Sequence, residues 1–153
     1  MAILADPLEL PEGRLLALDL GQARIGVAAC DEAGMLASPL AVLRRHPTRA
    51  EDFVEIAALV RRESVVGVLI GLPRAGGVGD RDVGVGAQAR WTMRYAGRLA
   101  GVLTVPVAFW DETLTSLDAA RLLHEGGGKA GIDAAAAALI LADYLETRRK
   151  KAR

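Results

Sequence analysis

The chain has 153 residues, a mass of 16.1 kDa and a formal net charge of zero, with 19 basic and 19 acidic residues. Hydrophobic residues make up 52% of it and aromatic residues only 4%, which argues against disorder and predicts an aliphatic core. No apolar run approaches the roughly 20 residues of a transmembrane helix, and the start lacks the pattern of a secretory signal. The single cysteine excludes an intramolecular disulfide and a Cys-based zinc site. We therefore predict a one-domain cytoplasmic protein with no membrane contact.

The two ends of the chain differ from its body. Residues 1–13 carry prolines and acids and are expected to form a loosely ordered leader. Residues 148–153 contain five basic residues and no acid, so they form a basic tail, and the rest of the chain has 14 basic against 19 acidic residues. Such a tail can contact phosphates, although most are simply solvated. Residues 14–147 are expected to form the single domain.

The first half of that domain predicts three strands. Leu15–Leu20 and Arg24–Cys30 are apolar runs joined by a turn that contains Gly21. Met35–Leu43 predicts a short third strand, in which Pro39 favours an edge position. Connections this short can join only antiparallel neighbours, so these strands form a meander.

The second half predicts helices alternating with strands. Thr48 and Glu51 form a capping-box pattern at the start of the first helix. The elements that follow are a buried strand over Ser64–Ile70, a glycine-rich loop over Gly71–Gly86, a helix over Ala87–Ala100, a strand over Val102–Trp110, a short helix between Thr115 and Gly126, and a last helix from Asp133 to Arg148.

This order of elements predicts an α/β fold. Right-handed crossovers place the fourth and fifth strands beside the first. The result is a mixed five-stranded sheet of order 3-2-1-4-5, with the first three strands antiparallel and helices flanking it. Ligands of such sheets bind at the carboxyl ends of strands, where the strand order reverses, and strand one lies at that point.

Three acids are expected to converge there: Asp19 in the first strand, Glu112 after the fifth, and Asp133 at the start of the last helix. Carboxylates that share a cleft repel one another unless a hard cation lies between them. Mg²⁺ and Mn²⁺ take oxygen ligands and keep positions open for water and phosphate oxygens. The three acids therefore predict a metal-dependent phosphodiester hydrolase.

Each acid has a simpler interpretation. Asp133 is equally suited to cap a helix N-terminus without any metal. Glu112 could be a solvated acid between a strand and a helix. Asp19 is the hardest to explain otherwise, because an acid in an apolar strand is uncommon without a role.

Three basic residues are candidates for binding nucleic acid. Arg24 follows the turn after Asp19, where it could contact a phosphate or pair with an acid. Arg74 and Lys129 lie in glycine-rich segments that a phosphate backbone could pass. Loop residues of this kind are often only solvated.

Four motifs in order resemble the YqgF/RuvX family over about residues 14–146. They are Asp19-Leu20-Gly21 with Arg24-Ile25-Gly26-Val27-Ala28, then Gly71-Leu72-Pro73, then the segment from Asp111 to Ser116, and finally Asp133-Ala134-Ala135-Ala136-Ala137. The resemblance implies an RNase H-like fold. It also implies that Asp19, Glu112 and Asp133 are catalytic ligands of a divalent metal, Mg²⁺ or Mn²⁺.

The family resemblance implies a nuclease that processes the 5′ end of pre-16S rRNA during ribosome biogenesis. One alternative is the same chemistry on Holliday junctions or other branched or single-stranded DNA, in recombination and repair. A resolvase of that kind is expected to be a two-fold dimer, whereas the rRNA nuclease could be a monomer or a homodimer. Two alternatives from other classes are a non-catalytic nucleic-acid-binding module and an actin-like nucleotide binder.

Overall fold

A computed structural model of the chain describes residues 3–73, 83–112 and 129–152. The side chains of residues 83–85, 112, 129 and 130 lie outside this description. The elements are five strands and three α-helices: β1 (Leu15–Leu20), β2 (Arg24–Cys30), β3 (Ala37–Arg44), α1 (Arg49–Arg62), β4 (Gly67–Pro73), α2 (Val83–Val102), β5 (Val107–Glu112) and α3 (Lys129–Lys151). None of the described helices is long and apolar enough to cross a membrane.

The five strands form one mixed sheet of order β3-β2-β1-β4-β5. β2 is antiparallel to β1 and to β3, while β4 is parallel to β1 and to β5. The predicted fold class, strand order and meander are therefore confirmed. Pro39 lies in β3, an edge strand, next to a register irregularity at Val27/Ala28, and both are settings in which a sheet tolerates proline.

Two cores cover the two faces of the sheet. Leu16, Leu18 and Leu20 of β1 pack with the apolar side chains of α1 and α2. Leu15 and Ala17, which point the other way, pack with α3. This alternation makes the fold a three-layer α/β/α arrangement, and it places Asp19 on the α3 face together with Ala17.

Thr48 caps α1 as the sequence predicts, because its hydroxyl accepts the Glu51 N–H. The next strand begins later than predicted. Ser64 has a φ of 54°, and its N–H and that of Val65 bond back to the last turn of α1, so these residues close the helix. The predicted start of β5 at Val102 is also wrong, because α2 continues to that residue.

The predicted short helix between Thr115 and Gly126, and the middle of the predicted glycine-rich loop, lie outside the described residues. At the loop's two ends, β4 continues to Pro73 and α2 starts at Val83. The two ends of the predicted loop therefore belong to β4 and α2.

The first described residues of the chain contact the last helix, α3. Leu10 is buried, and a short 3₁₀ helix at Pro7–Glu9 precedes it. The Tyr144 hydroxyl donates to the Pro7 carbonyl at 2.6 Å, and Arg148 donates to the Leu10 carbonyl at 2.8 Å. Pro7 and Leu10, within the expected leader, therefore contact α3, and Arg148 of the expected basic tail is part of that helix.

A buried ion pair connects α1 to the end of β3. The Asp52 carboxylate is almost fully buried and accepts from Arg45 Nε at 2.6 Å, the His46 N–H at 2.8 Å and the Tyr95 hydroxyl at 3.1 Å. Arg45 also lies over the rings of Trp91 and Tyr95. Asp52 therefore has three donors, and Arg45 is fixed on several sides.

We expect Asp52→Ala to lower the free energy of unfolding by about 3–5 kcal/mol, because it leaves the Arg45 charge buried without its partner. Urea unfolding followed by circular dichroism measures the change. Glu146→Ala is the matched control, since Glu146 pairs with Lys150 on the exposed surface of α3 and its loss should cost less than about 1 kcal/mol. Equal losses in the two variants would contradict a stabilising role for the buried pair.

Candidate active site

Asp19 lies near the carboxyl end of β1. Burial, and then the nearby charge of Asp133, raise the pKa of the Asp19 carboxyl from 3.8 to about 6. Among the residues that the structure describes, none donates a hydrogen bond to this carboxylate. Its ionised form is therefore poorly stabilised by the protein itself, which is the condition that a bound cation would relieve.

Asp133 approaches Asp19 from α3. This helix begins at Lys129, so Asp133 lies one turn inside it, and the alternative that Asp133 caps the helix is wrong. Its side chain instead turns to the sheet, where Oδ2 accepts from Arg24 Nε at 2.6 Å. Of the two alternatives that the sequence left open for Arg24, the structure shows the pair with an acid.

Gly26 allows the backbone of α3 to approach the sheet next to Asp19. It lies on β2 directly opposite Asp19, and the backbone of α3 passes over it. A Cβ at this position would overlap the carbonyl group of Asp133 and lie 3.0 Å from the backbone nitrogen of Ala134. Only glycine lets the helix come this close to the strand, and this contact sets Asp133 beside Asp19.

Glu112 is the last residue of β5, and only its backbone is described. Ile70 of the intervening strand β4 pairs with both Leu18 of β1 and Phe109 of β5. These three residues therefore lie in register across the sheet. Asp19 lies one residue beyond Leu18, and Glu112 three residues beyond Phe109. The backbone thus ends β5 at the same sheet edge as Asp19, as predicted.

The other predicted residues are less well described. Arg74 lies outside the described residues, and Lys129 is the first residue of α3 with its side chain outside the description. Among the side chains that are described, no group of three or more His, Cys, Asp or Glu could hold a metal ion. The predicted third ligand, Glu112, is not among those side chains.

Sequence reasoning missed the roles of Gly26 and Arg45. A glycine inside an apolar strand signals a close backbone approach, so Gly26 could have been found. Arg45 donates from Nη1 to the Gly21 carbonyl at 3.1 Å, and its N–H bonds to the Ala23 carbonyl at 2.9 Å. Arg45 thereby supports the turn that follows Asp19. No motif marks it, because its partner Asp52 lies on a different element.

Comparison with known proteins shows the family to which the chain belongs. The sequence model of the RuvX family, described as a Holliday junction resolvase, matches residues 13–147. The chain belongs to the RuvX family. This RuvX-family chain is also 40% identical to a protein of Mycobacteroides abscessus over 90% of its own length and 84% of the relative. It is 41% identical to a protein of Anaeromyxobacter sp. over 88% of its length and 98% of the relative. Both relatives are named "Putative pre-16S rRNA nuclease".

Solved structures show the same fold for this RuvX-family chain. One is T. thermophilus RuvC in complex with a Holliday junction substrate, with a TM-score of 0.56 and 16% identity over 90% of this chain and 96% of that one. Another is the yeast mitochondrial Holliday junction resolvase Ydc2, with a TM-score of 0.54 and 10% identity over 92% of this chain and 80% of that one. At these identities the likeness concerns the fold, which is the RNase H-like fold that the family resemblance implied.

Proposed function

We propose that this chain is a metal-dependent nuclease that hydrolyses phosphodiester bonds at the carboxyl ends of β1 and β5. The observation that carries the proposal is the pair formed by Asp19 and Asp133, two carboxylates from different elements that lie close enough for the charge of Asp133 to add to burial in raising the pKa of Asp19. A protein rarely maintains such repulsion without use, since the ionised pair destabilises the fold. Family membership and the names of the relatives support the same chemistry.

The donor set fits Mg²⁺ or Mn²⁺, since it consists of carboxylate oxygens. Asp19, Asp133 and Glu112 would hold the ion, and a bound ion would supply a nucleophile from water at neutral pH and stabilise the charge on the phosphate. Arg24 holds one oxygen of Asp133, so it orients this ligand before any ion binds. Burial of Asp19 keeps bulk water from screening the site.

The proposed substrate is precursor 16S rRNA, cut at its 5′ end in the cytoplasm. The support is that relatives at about 40% identity, matched over most of their length, carry that name. Arg24, Arg74 and Lys129 are proposed to contact the RNA backbone. Arg24 lies in the site, where its guanidinium contacts Asp133 and lines the cleft beside it.

Resolution of Holliday junctions is the second candidate. It is favoured by the description of the family and by the structural likeness to RuvC bound to a junction. Symmetric cleavage of two strands requires two active sites related by a two-fold axis. A chain that stays monomeric on binding a junction would therefore argue for the rRNA substrate.

The test offers the purified protein precursor 16S rRNA and four-way DNA junctions side by side, in Mn²⁺ or in EDTA. We expect metal-dependent cleavage at the 5′ side of the rRNA, lost in Glu112→Gln and kept in Glu146→Gln, an exposed acid of α3. Cleavage that persists in EDTA would contradict the metal mechanism. Paired symmetric cuts in the junction alone would establish the second candidate. Binding of either substrate without any cleavage would identify a non-catalytic module.

A further inference from the structure

A cleft of about 520 Å³ opens beside the acids, at the end of the sheet where β1 turns into β2 and β3 ends. We call it the arginine cleft, and it is lined by Gln22, Ala23, Arg24, Arg44, Arg45, His46 and Pro47. Arg24 belongs both to this cleft and to the acid pair, since it contacts Asp133. The cleft therefore shares Arg24 with the proposed site of cleavage.

Two arginines, Arg24 and Arg44, line the arginine cleft from neighbouring strands. Arg24 and Arg44 are directly opposite each other in the β2–β3 ladder, so their side chains leave the same face of the sheet. Residues in such pairs have Cβ atoms only about 5 Å apart, and like charges placed there destabilise the sheet. The arrangement costs stability, and an anion bound between the two arginines would remove that cost.

Each acid described near the arginine cleft contacts a residue other than Arg44. Asp133 is bonded to Arg24, and Asp52 is buried against Arg45. The other two acids near the cleft, Glu51 and Glu55, approach the His46 ring. Arg44 is exposed, and no residue in the described ranges 3–73, 83–112 and 129–152 forms an ion pair with it.

The wall of the cleft is fixed in advance. Arg45 is held by Asp52 and by the Gly21 carbonyl, and its N–H bonds to the Ala23 carbonyl, so the end of β3 is tied to the β1–β2 turn. An anion that binds in the cleft therefore contacts a preformed surface, and little free energy is lost in ordering that surface.

We infer that the arginine cleft binds a backbone phosphate of the nucleic acid that flanks the one to be cleaved, with Arg44 as its main ligand and Arg24 beside it. This inference rests on the proposed function, because the anion is taken to be part of the nuclease substrate. A phosphodiester is the anion that suits this cleft, because the planar guanidinium of arginine binds two phosphate oxygens with two parallel hydrogen bonds.

Binding is measured by fluorescence anisotropy with a fluorescein-labelled single-stranded RNA, in the Asp19→Asn background so that the probe stays intact. Arg44→Ala is expected to weaken binding about tenfold, as the loss of one charge-assisted contact should. The slope of log K against log salt should fall by about 0.7. Arg44→Glu should weaken binding further, and Arg44→Lys should keep part of it.

Arg61→Ala is the matched control. Arg61 is also an exposed arginine and lies near the far end of α1, about 18 Å along the helix from its first residue, so its loss should leave affinity and salt slope unchanged. Arg44→Ala should also be at least as stable as the parent protein, because it removes a like-charge pair. A loss of affinity in a folded protein therefore reports binding.

The inference is overturned if Arg44→Ala binds the RNA as tightly as the parent, with the same salt slope, or if Arg61→Ala weakens binding equally. It is also overturned if the Asp19→Asn protein binds no RNA at all. Failure of the proposed function is a separate result. In that case the parent chain cleaves neither rRNA nor junctions, while RNA binding still depends on Arg44.

Discussion

Asp19→Asn is expected to reduce cleavage by at least about 100-fold, while the protein stays folded. Asparagine keeps the shape of the side chain but removes the negative charge that would hold a divalent ion. Initial rates on precursor 16S rRNA in Mn²⁺ measure the loss, and Glu146→Gln provides an exposed acid as the control. Full activity in Asp19→Asn would contradict the role of this carboxylate.

The same substitution is expected to stabilise the metal-free protein. Because the folded-state pKa of Asp19 is about 6, above the ordinary 3.8, the protonated acid favours folding. That contribution is complete below about pH 4 and is lost as the pH rises through 6. The difference of about two pKa units corresponds to about 3 kcal/mol. Asparagine, which is neutral at every pH, does not lose this contribution.

Urea unfolding in EDTA at several pH values tests this expectation. The free energy of unfolding of Asp19→Asn relative to the parent should rise by about 3 kcal/mol between pH 4 and pH 7. Added Mn²⁺ should stabilise the parent and leave the variant unaffected. A difference that does not vary with pH would mean that Asp19 is not the buried, repelled acid described above.

Gly26→Ala is expected to reduce cleavage by about 100-fold, although Gly26 carries no functional group. The new Cβ overlaps the Asp133 carbonyl, so α3 must move away from β2 and carry Asp133 away from Asp19. A displacement of about 1 Å at a catalytic group can cost this much in rate. Overpacking should also lower the free energy of unfolding by about 1–3 kcal/mol. Rates on precursor rRNA and urea unfolding measure the two effects.

Gly97→Ala, in helix α2, is the control for the same substitution at a position away from the proposed site. No atom lies within 4 Å of a Cβ built at Gly97, which is exposed on α2. This variant should keep its activity and gain about 0.5–1 kcal/mol of stability, because alanine favours the helix. If Gly26→Ala behaved like Gly97→Ala, the close approach of α3 to β2 would not be what positions Asp133.

The sequence by itself determined the architecture. Short connections between the first three apolar runs allow only an antiparallel meander, and long connections to the next two require crossovers. These local facts led to the order β3-β2-β1-β4-β5, and the structure confirms it. The cap of α1 by Thr48 could also be predicted from the sequence, because a capping box involves residues only three positions apart. The apolar neighbours of Asp19 in the sequence also predicted a role for this acid, because an acid in an apolar strand is uncommon without one.

Only the tertiary structure decided how the site is held together. Asp133 was as consistent with a helix cap as with a ligand until α3 was found to begin at Lys129. Its contact with Arg24 joins residues 109 positions apart, and the pair of Arg45 and Asp52 joins β3 to α1. The contact of Gly26 with α3 and the juxtaposition of Arg24 with Arg44 depend on register and packing. Local patterns carry no information about such contacts, because their energy comes from groups that meet only when the chain is folded.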